Sequence, residues 1–495
     1  MSVEGSNTQV RLKSGIEGLD DVLHGGFTAN RFYLIDGEPG SGKTTLALKF
    51  LLEGIAQGER CLYVTLSETR EEIAAVAASH GWNLNNVEIL ELMPPVAELD
   101  REAQVTMYAA ADIERGEVMS KILEVVEKLN PSRVVFDSLS ELRLMSESVL
   151  RYRRQIIALK QFFTSRACTV MLLNDRTTEG TDNHLQSISH GVILLEQFVL
   201  PYGGARRRLR VLKNRATDYR SGYHDFAIRY GGLAVFPRLV AAEHAEAFAP
   251  EQIQSGVSAL DQLLGGGQDR GTSTLFIGPP GSGKSTIAVQ YAVTAAARGD
   301  HAVIFAFDES TATLQRRMTG LGIEFKHGVA AGEIEIRQVD PAEVSPGEFA
   351  HMVRRAVERD NARVVVIDSL NGYLNSMPEE KFLTAQLHEL LSYLNRKGVT
   401  TLLVVAQHGI AVTEMHAPVD ISYLADSVVI IRFFEHAGTV KKAISVPKKR
   451  SGNHESTIRE LRFDRSGIHI SEPLTLLRGV LTGVPWEIQS DRGVD

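Results

Sequence analysis

Two stretches of this sequence carry the residue types needed to grip a polyphosphate. GEPGSGKT runs from Gly37 to Thr44, and GPPGSGKS runs from Gly278 to Ser285. A loop that wraps phosphate must turn several backbone N–H groups inward, so glycine is needed where a Cβ would intrude or φ is positive. Gly37, Gly40 and Gly42 suit that purpose in the first stretch, and Gly278, Gly281 and Gly283 in the second, with Ser41 and Ser282 interleaved. Lys43 and Lys284 can reach the outer phosphates, and Thr44 and Ser285 offer hydroxyls to Mg²⁺. Thr45 and Thr286 then follow at the start of a helix, whose N-terminus favours an anion. The spacing predicts that ATP and Mg²⁺ are held twice.

A second set of residues completes this chemistry. RVVFDSL places Asp137, and RVVVIDSL places Asp368, at the end of an apolar strand, where a carboxylate can steady the metal through its water shell. Hydrolysis also needs a group that orients or deprotonates the attacking oxygen. Glu68 follows the strand-like LYVTL, and Asp308 and Glu309 follow IFAF. The same positions suit a first-turn acid capping the next helix, so capping stands beside catalysis as a reading.

These residues recur because the chain repeats itself. Lys43 and Lys284 lie 241 positions apart (284 − 43), and SGIEGLDDVLHGG aligns with SGVSALDQLLGGG at the same offset. The offset is 231 between Asp137 and Asp368 (368 − 137) and 235 between Lys213 and Lys448 (448 − 213), as loop insertions would produce. AAEHAEAFAP places the boundary near 241–250, giving copies at about 1–245 and 246–495. Near-continuous apolar runs (RFYLID, RVVFD, CTVMLLN; TLFIG, RVVVID, TTLLVVA) predict buried parallel strands alternating with helices, hence an α/β fold. The later alternating segments of each copy predict antiparallel hairpins at one sheet edge.

Composition narrows the field. With 43% hydrophobic and 23% charged residues, the chain reads as a globular protein of ordinary composition. The polar start MSVEGSNTQVRLKSG and the lack of a long apolar run predict a cytoplasmic protein with no membrane span. A net charge of −8 argues against nucleic acid as a partner, although Arg206, Arg207 and Arg208 form a local basic patch. Cys61 and Cys168 each open an apolar run and read as buried thiols.

On these motifs the chain resembles the KaiC family, double-domain members of the RecA superfamily, over nearly its whole length. SYLADSVVIIRFFEHAGTVKKAISVPKKRSGNHESTIREL is the stretch that separates it from RecA-like recombinases and helicases. The resemblance implies two tandem RecA-like P-loop domains, each a mostly parallel sheet flanked by helices, in a homohexamer with ATP held between subunits. It also implies an ATPase in the first copy and a Ser/Thr autokinase in the second. Carried over by position, Lys213 and Arg215, and Lys448 and Arg450, would reach a neighbour's γ-phosphate. Ser422 matches the family's serine acceptor, whereas Tyr423 replaces the adjoining threonine. The family has two glutamates after the second strand. Here Ser67 precedes Glu68, so first-copy hydrolysis is expected to be slow or to rest on Glu68 alone, and Asp308-Glu309 makes the second copy the better kinase. A KaiB-like protein is the expected partner. The end at LTGVPWEIQSDRGVD lacks the tail that binds KaiA, so KaiA is not expected. Two alternatives are a DNA-dependent motor of the same superfamily and a scaffold that ATP assembles with residual catalysis.

Overall fold

The computed structural model describes residues 10–92, 119–144, 148–176, 183–200, 203–323, 325–375, 380–407, 423–482 and 485–487. The chain divides into two compact units, Met1–Arg238 and Leu239–Asp495. This division comes before the expected boundary because Ala241–His244 forms a 3₁₀ turn that belongs to the second unit. There Ala241 is buried in a core cluster, and its amide donates to Glu389 at 3.0 Å.

The first unit is built on nine strands: β1 Phe32–Gly37, β2 Cys61–Thr65, β3 Glu88–Glu91, β4 Arg133–Asp137, β5 Thr169–Asp175, β6 Gly191–Phe198, β7 Arg206–Asn214, β8 His224–Arg229 and β9 Gly232–Phe236. They lie in the order β3-β2-β4-β5-β1-β6-β7-β8-β9. Pairing is parallel as far as β6 and antiparallel beyond it. The second unit has β10 Ser273–Gly278, β11 His301–Ala306, β12 Ile334–Gln338, β13 Ala362–Asp368, β14 Thr400–Ala406, β15 Ser427–His436, β16 Thr439–Lys449, β17 Arg459–Asp464 and β18 Gly467–Pro473. Their order, β12-β11-β13-β14-β10-β15-β16-β17-β18, repeats the first sheet strand for strand. Each unit is thus an α/β, RecA-like layer structure with its antiparallel hairpins at one edge.

Both faces of each sheet are covered, which is why the strands are apolar without alternation. In β1, Tyr33 and Ile35 join one core cluster while Phe32 and Leu34 join another. In β10, Phe276 faces one side and Leu275 and Ile277 the other. The helices that matter for the site are α1 Lys43–Ala56, α2 Arg70–Ser79, α3 Lys284–Ala297 and α4 Thr311–Gly320. Cys61 and Cys168 are buried free thiols, and burial pushes the Cys61 thiol up to about 12.

The strand that delivers Asp137 is anchored by an ion pair at its other end. Arg133 is fully buried, donates to the Lys13 and Phe50 carbonyls at 2.8 Å, and meets Glu59 at 2.6 and 3.2 Å. Removing one partner of a buried pair leaves the other charge uncompensated. Glu59→Ala is therefore expected to lower unfolding free energy by about 3 kcal/mol, measured by denaturant titration.

Candidate nucleotide site in each unit

Both phosphate-loop motifs leave the carboxyl end of the central strand, where open α/β sheets place their ligands. Gly40 and Gly42 have φ of 77° and 98°, and Gly281 and Gly283 have 76° and 106°, values that side chains rarely adopt. Gly37 and Gly278 are needed for a different reason: a Cβ would lie 2.6 Å from the Leu195 carbonyl oxygen in one and 2.3 Å from that of Ile431 in the other. The helices that follow begin without a side-chain cap and without a first-turn acid. Their opening N–H groups are thus left for an outside acceptor. By contrast, α2 is closed by a capping box in which the Thr69 side chain and Glu72 exchange bonds.

Lys43 and Lys284 are almost fully buried in these loops, as are Ser41 and Ser282, whose hydroxyls have no protein partner. Lys43 donates to the carbonyls of Gly37 and Glu38 at 3.0 and 2.8 Å and pairs with Asp175 at 2.7 Å. Lys284 donates to the Pro279 carbonyl at 2.8 Å, and burial brings its ammonium down to about 8. Among the described residues no carboxylate pairs with it, Asp368 acting only from a distance, and a buried ammonium so placed calls for an anion. Thr45 and Thr286 are also buried, on the first turn of each helix.

Thr44 donates to Asp137 at 3.0 Å, and the Ser285 hydroxyl likewise bonds Asp368. Burial raises both carboxyls above the ordinary aspartate value, which a cation between hydroxyl and carboxylate would reverse. Among the described residues no cluster of three or more His, Cys, Asp or Glu is arranged to hold a metal. The oxygen pairs nevertheless fit Mg²⁺, which keeps several waters and takes its other ligands from phosphate.

The acidic groups differ between units. The helix caps are Thr69 and Ser310, so Glu68 and Glu309 are not capping residues. Glu68 has a buried carboxylate oxygen with no hydrogen-bond partner. Burial, then Asp137, Glu72 and Asp175, raise its carboxyl above the ordinary value. Ser67 is exposed beside it. In the second unit Asp308 accepts a hydrogen bond from the Ser369 hydroxyl. Glu309 is gripped by Arg317 at 2.6 and 3.3 Å, and Arg317 also donates to Thr286 at 2.8 Å. A cleft of about 570 Å³ opens there, lined by Gly281, Lys284, Thr286, Glu309, Arg317 and Phe463 among others.

The paired basic residues do not meet their own loop. Lys213 lies opposite Val192, which lies opposite Leu34 in β1, while the loop leaves after Gly37. Three positions along a strand is about 10 Å, and the side chains turn to the far edge: Lys213 donates to the Gln186 carbonyl at 2.6 Å and Arg215 to that of Ser187 at 3.1 Å. Lys448 sits opposite Val428, beside Leu275, with the same displacement. Lys448 donates to the Ala425 carbonyl at 2.8 Å and Arg450 to that of Tyr423 at 2.6 Å. Ser422 lies outside the described residues. A cleft of about 590 Å³ near this edge of the first unit is lined by Lys160, Ser187 and His190. Burial, with Lys160, Arg31, Arg215 and Lys213, brings the His190 imidazole down to about 4, a sign of a positive field.

Sequence reading missed three groups. Asp175 ends β5 where Ala406 ends β14, and Tyr63, where the second unit has Ile304, donates to Asp137. Arg317 stands at the repeat position of Val76. Comparing the two copies at their 241-residue offset (317 − 76) would have exposed Arg317.

Loops of this kind at central parallel strands place both units among P-loop nucleotide-binding domains. The family model for the KaiC ATPase matches residues 12–240 and 253–475, and the chain belongs to that family. It is 26% identical over 483 residues to the circadian clock protein KaiC3 of Synechocystis, covering 96% of this chain and 94% of that one. It is 28% identical over 504 residues to the circadian clock oscillator protein KaiC of Prochlorococcus marinus, covering 98% of each. To the oscillator protein KaiC of Acaryochloris marina it is 27% identical over 507 residues, covering 98% and 93%. Among the described residues no helix is long and apolar enough to cross a membrane.

The folded chain holds the Glu68 proton more tightly than the unfolded chain, whose carboxyl titrates near the ordinary 4.5. Stability is therefore lost as pH rises from that value through the raised folded one. Glu68→Gln is expected to melt higher than the parent at pH 7, with the difference closing below the unfolded value. Scanning calorimetry across pH checks this.

Proposed function

We propose that the chain is an ATP-hydrolysing, self-phosphorylating homohexamer in which each tier's ATP lies between subunits, and that it signals its state to a protein partner, a KaiB-like protein being the candidate. The observation that carries this reading is the separation within each unit. The phosphate loop leaves the carboxyl end of the central strand, while Lys213 and Arg215, or Lys448 and Arg450, gather toward the other end of the strands. A basic pair displaced in this way is out of reach of its own loop, which supports a role at another subunit's phosphate, a task that guanidinium and ammonium groups suit.

Within a site, Lys43 or Lys284 and the uncapped helix would bind the polyphosphate, with Gly37–Thr45 and Gly278–Thr286 forming the cradle. Thr44 with Asp137, and Ser285 with Asp368, would hold Mg²⁺, whose charge offsets that of the transferring group. For hydrolysis in the first tier, Glu68 accepts a proton from water as the water oxygen bonds to the γ-phosphorus and the bond to ADP breaks. Its raised carboxyl and unpartnered oxygen support that role. In the second tier, Asp308 or Glu309 would receive the Ser422 hydroxyl proton as its oxygen bonds to the γ-phosphorus and the bond to ADP breaks. The segment after Ser422 is tied to the same basic pair, through the Tyr423 and Ala425 carbonyls, which supports an acceptor near the neighbour's ATP.

Incubation with ATP and Mg²⁺ is expected to yield hexamers by light scattering and one added phosphate per chain by intact-mass spectrometry. Ser422→Ala should remove that phosphate and leave the hexamer. Equal labelling of Ser422→Ala, or monomers at saturating ATP, contradicts the proposal.

A further inference from the structure

The two units present nearly identical cradles, yet the second has Arg317 lining its cleft where the first has Val76 at the matching position. Arg317 projects from α4 and makes a two-pronged ion pair with Glu309, its Nη2 at 2.6 Å from Oε2 and its Nε at 3.3 Å from Oε1. Its remaining prong, Nη1, donates to Thr286 Oγ1 at 2.8 Å. Thr286 is buried and directly follows Ser285 on the phosphate-loop helix. The arginine therefore ties the acid after β11 to the first turn of α3. In the first unit the matching positions are Glu68, Thr45 and Val76. Valine cannot pair with the carboxylate, and Glu68 keeps an oxygen with no partner.

We propose that Arg317 is a positioning residue that restrains Glu309, and that the phosphate of bound ATP draws the guanidinium away from it only part of the time. This rests on the reading of Glu309 as the second site's acid–base group. A carboxylate neutralised by a forked guanidinium is a weak proton acceptor, and its two oxygens are committed to the fork. The fork lines the cleft beside Gly281, Lys284 and Thr286, so an anion held by that loop lies within the arginine's reach. Arg–phosphate pairing matches the same planar geometry as Arg–carboxylate. Once the fork opens, Glu309 can take a proton from water while the water oxygen bonds to the γ-phosphorus and the bond to ADP breaks.

The test uses the full chain with the first site silenced by Lys43→Ala, so that remaining turnover belongs to the second. Arg317→Val, which installs the first unit's residue, is expected to raise kcat for ATP hydrolysis about tenfold with little change in KM, since partial recovery of a general base is at stake. Arg317→Lys, which keeps the charge without the fork, should give only part of that gain. Adding Glu309→Gln to Arg317→Val should abolish it. An unchanged or lower kcat in Arg317→Val overturns the restraint, as does a gain that survives Glu309→Gln. Binding of a fluorescent ATP analogue separates the two levels: bound analogue without a gain overturns only the restraint, whereas absence of binding in the Lys43→Ala parent overturns the second site's function as well.

Discussion

A buried ammonium at the mouth of each central strand sets the terms for the rest of the structure. Taking a lysine out of water costs several kcal/mol unless an anion compensates it. Lys43 finds Asp175, whereas Lys284 is left with a single carbonyl and its ammonium is drawn down to about 8. Uncapped helix N-termini, loop hydroxyls without partners, and glycines with positive φ surround the same two points. All of these are deficits that a polyphosphate would make good, and the double-faced sheets exist to hold them in place.

The repeat is closer in fold than in chemistry. Strand order is the same in both units, and the hydroxyl–aspartate pairs recur. The acid after the second strand recurs as Glu68 and Glu309, but its partners do not. The first unit has Glu68 with a raised carboxyl, Tyr63 on Asp137 and Asp175 on Lys43; the second has Asp308 on Ser369 and Glu309 on Arg317. The first copy, expected from Ser67 to be the weaker hydrolase, carries in Glu68 an acid whose carboxyl is raised by burial and by Asp137, Glu72 and Asp175.

The sequence made the sheets legible because buried parallel strands are written as unbroken apolar runs, and RFYLID, RVVFD and TTLLVVA each became one. The phosphate loops were legible because glycine spacing is dictated by backbone geometry. Less was visible where pairing depends on residues distant in the chain. Asp175 reaches Lys43 across 132 positions (175 − 43), and nothing local to LLND marks it. Arg317 looks like a solvated charge on an ordinary helix until α4 folds against α3. The chain divides at Arg238/Leu239, a few residues before the alanine-rich segment, and Ala241 within that segment is buried in the second unit's core.

Nucleotide stoichiometry tests the central claim most directly. Native mass spectrometry of the chain with a non-hydrolysable ATP analogue and Mg²⁺ should show two nucleotides per chain. Lys43→Ala and Lys284→Ala should each show one, and the double variant none. A parent that binds only one nucleotide per chain, or single variants that still bind two, would contradict an account built on two buried ammonium groups awaiting phosphate.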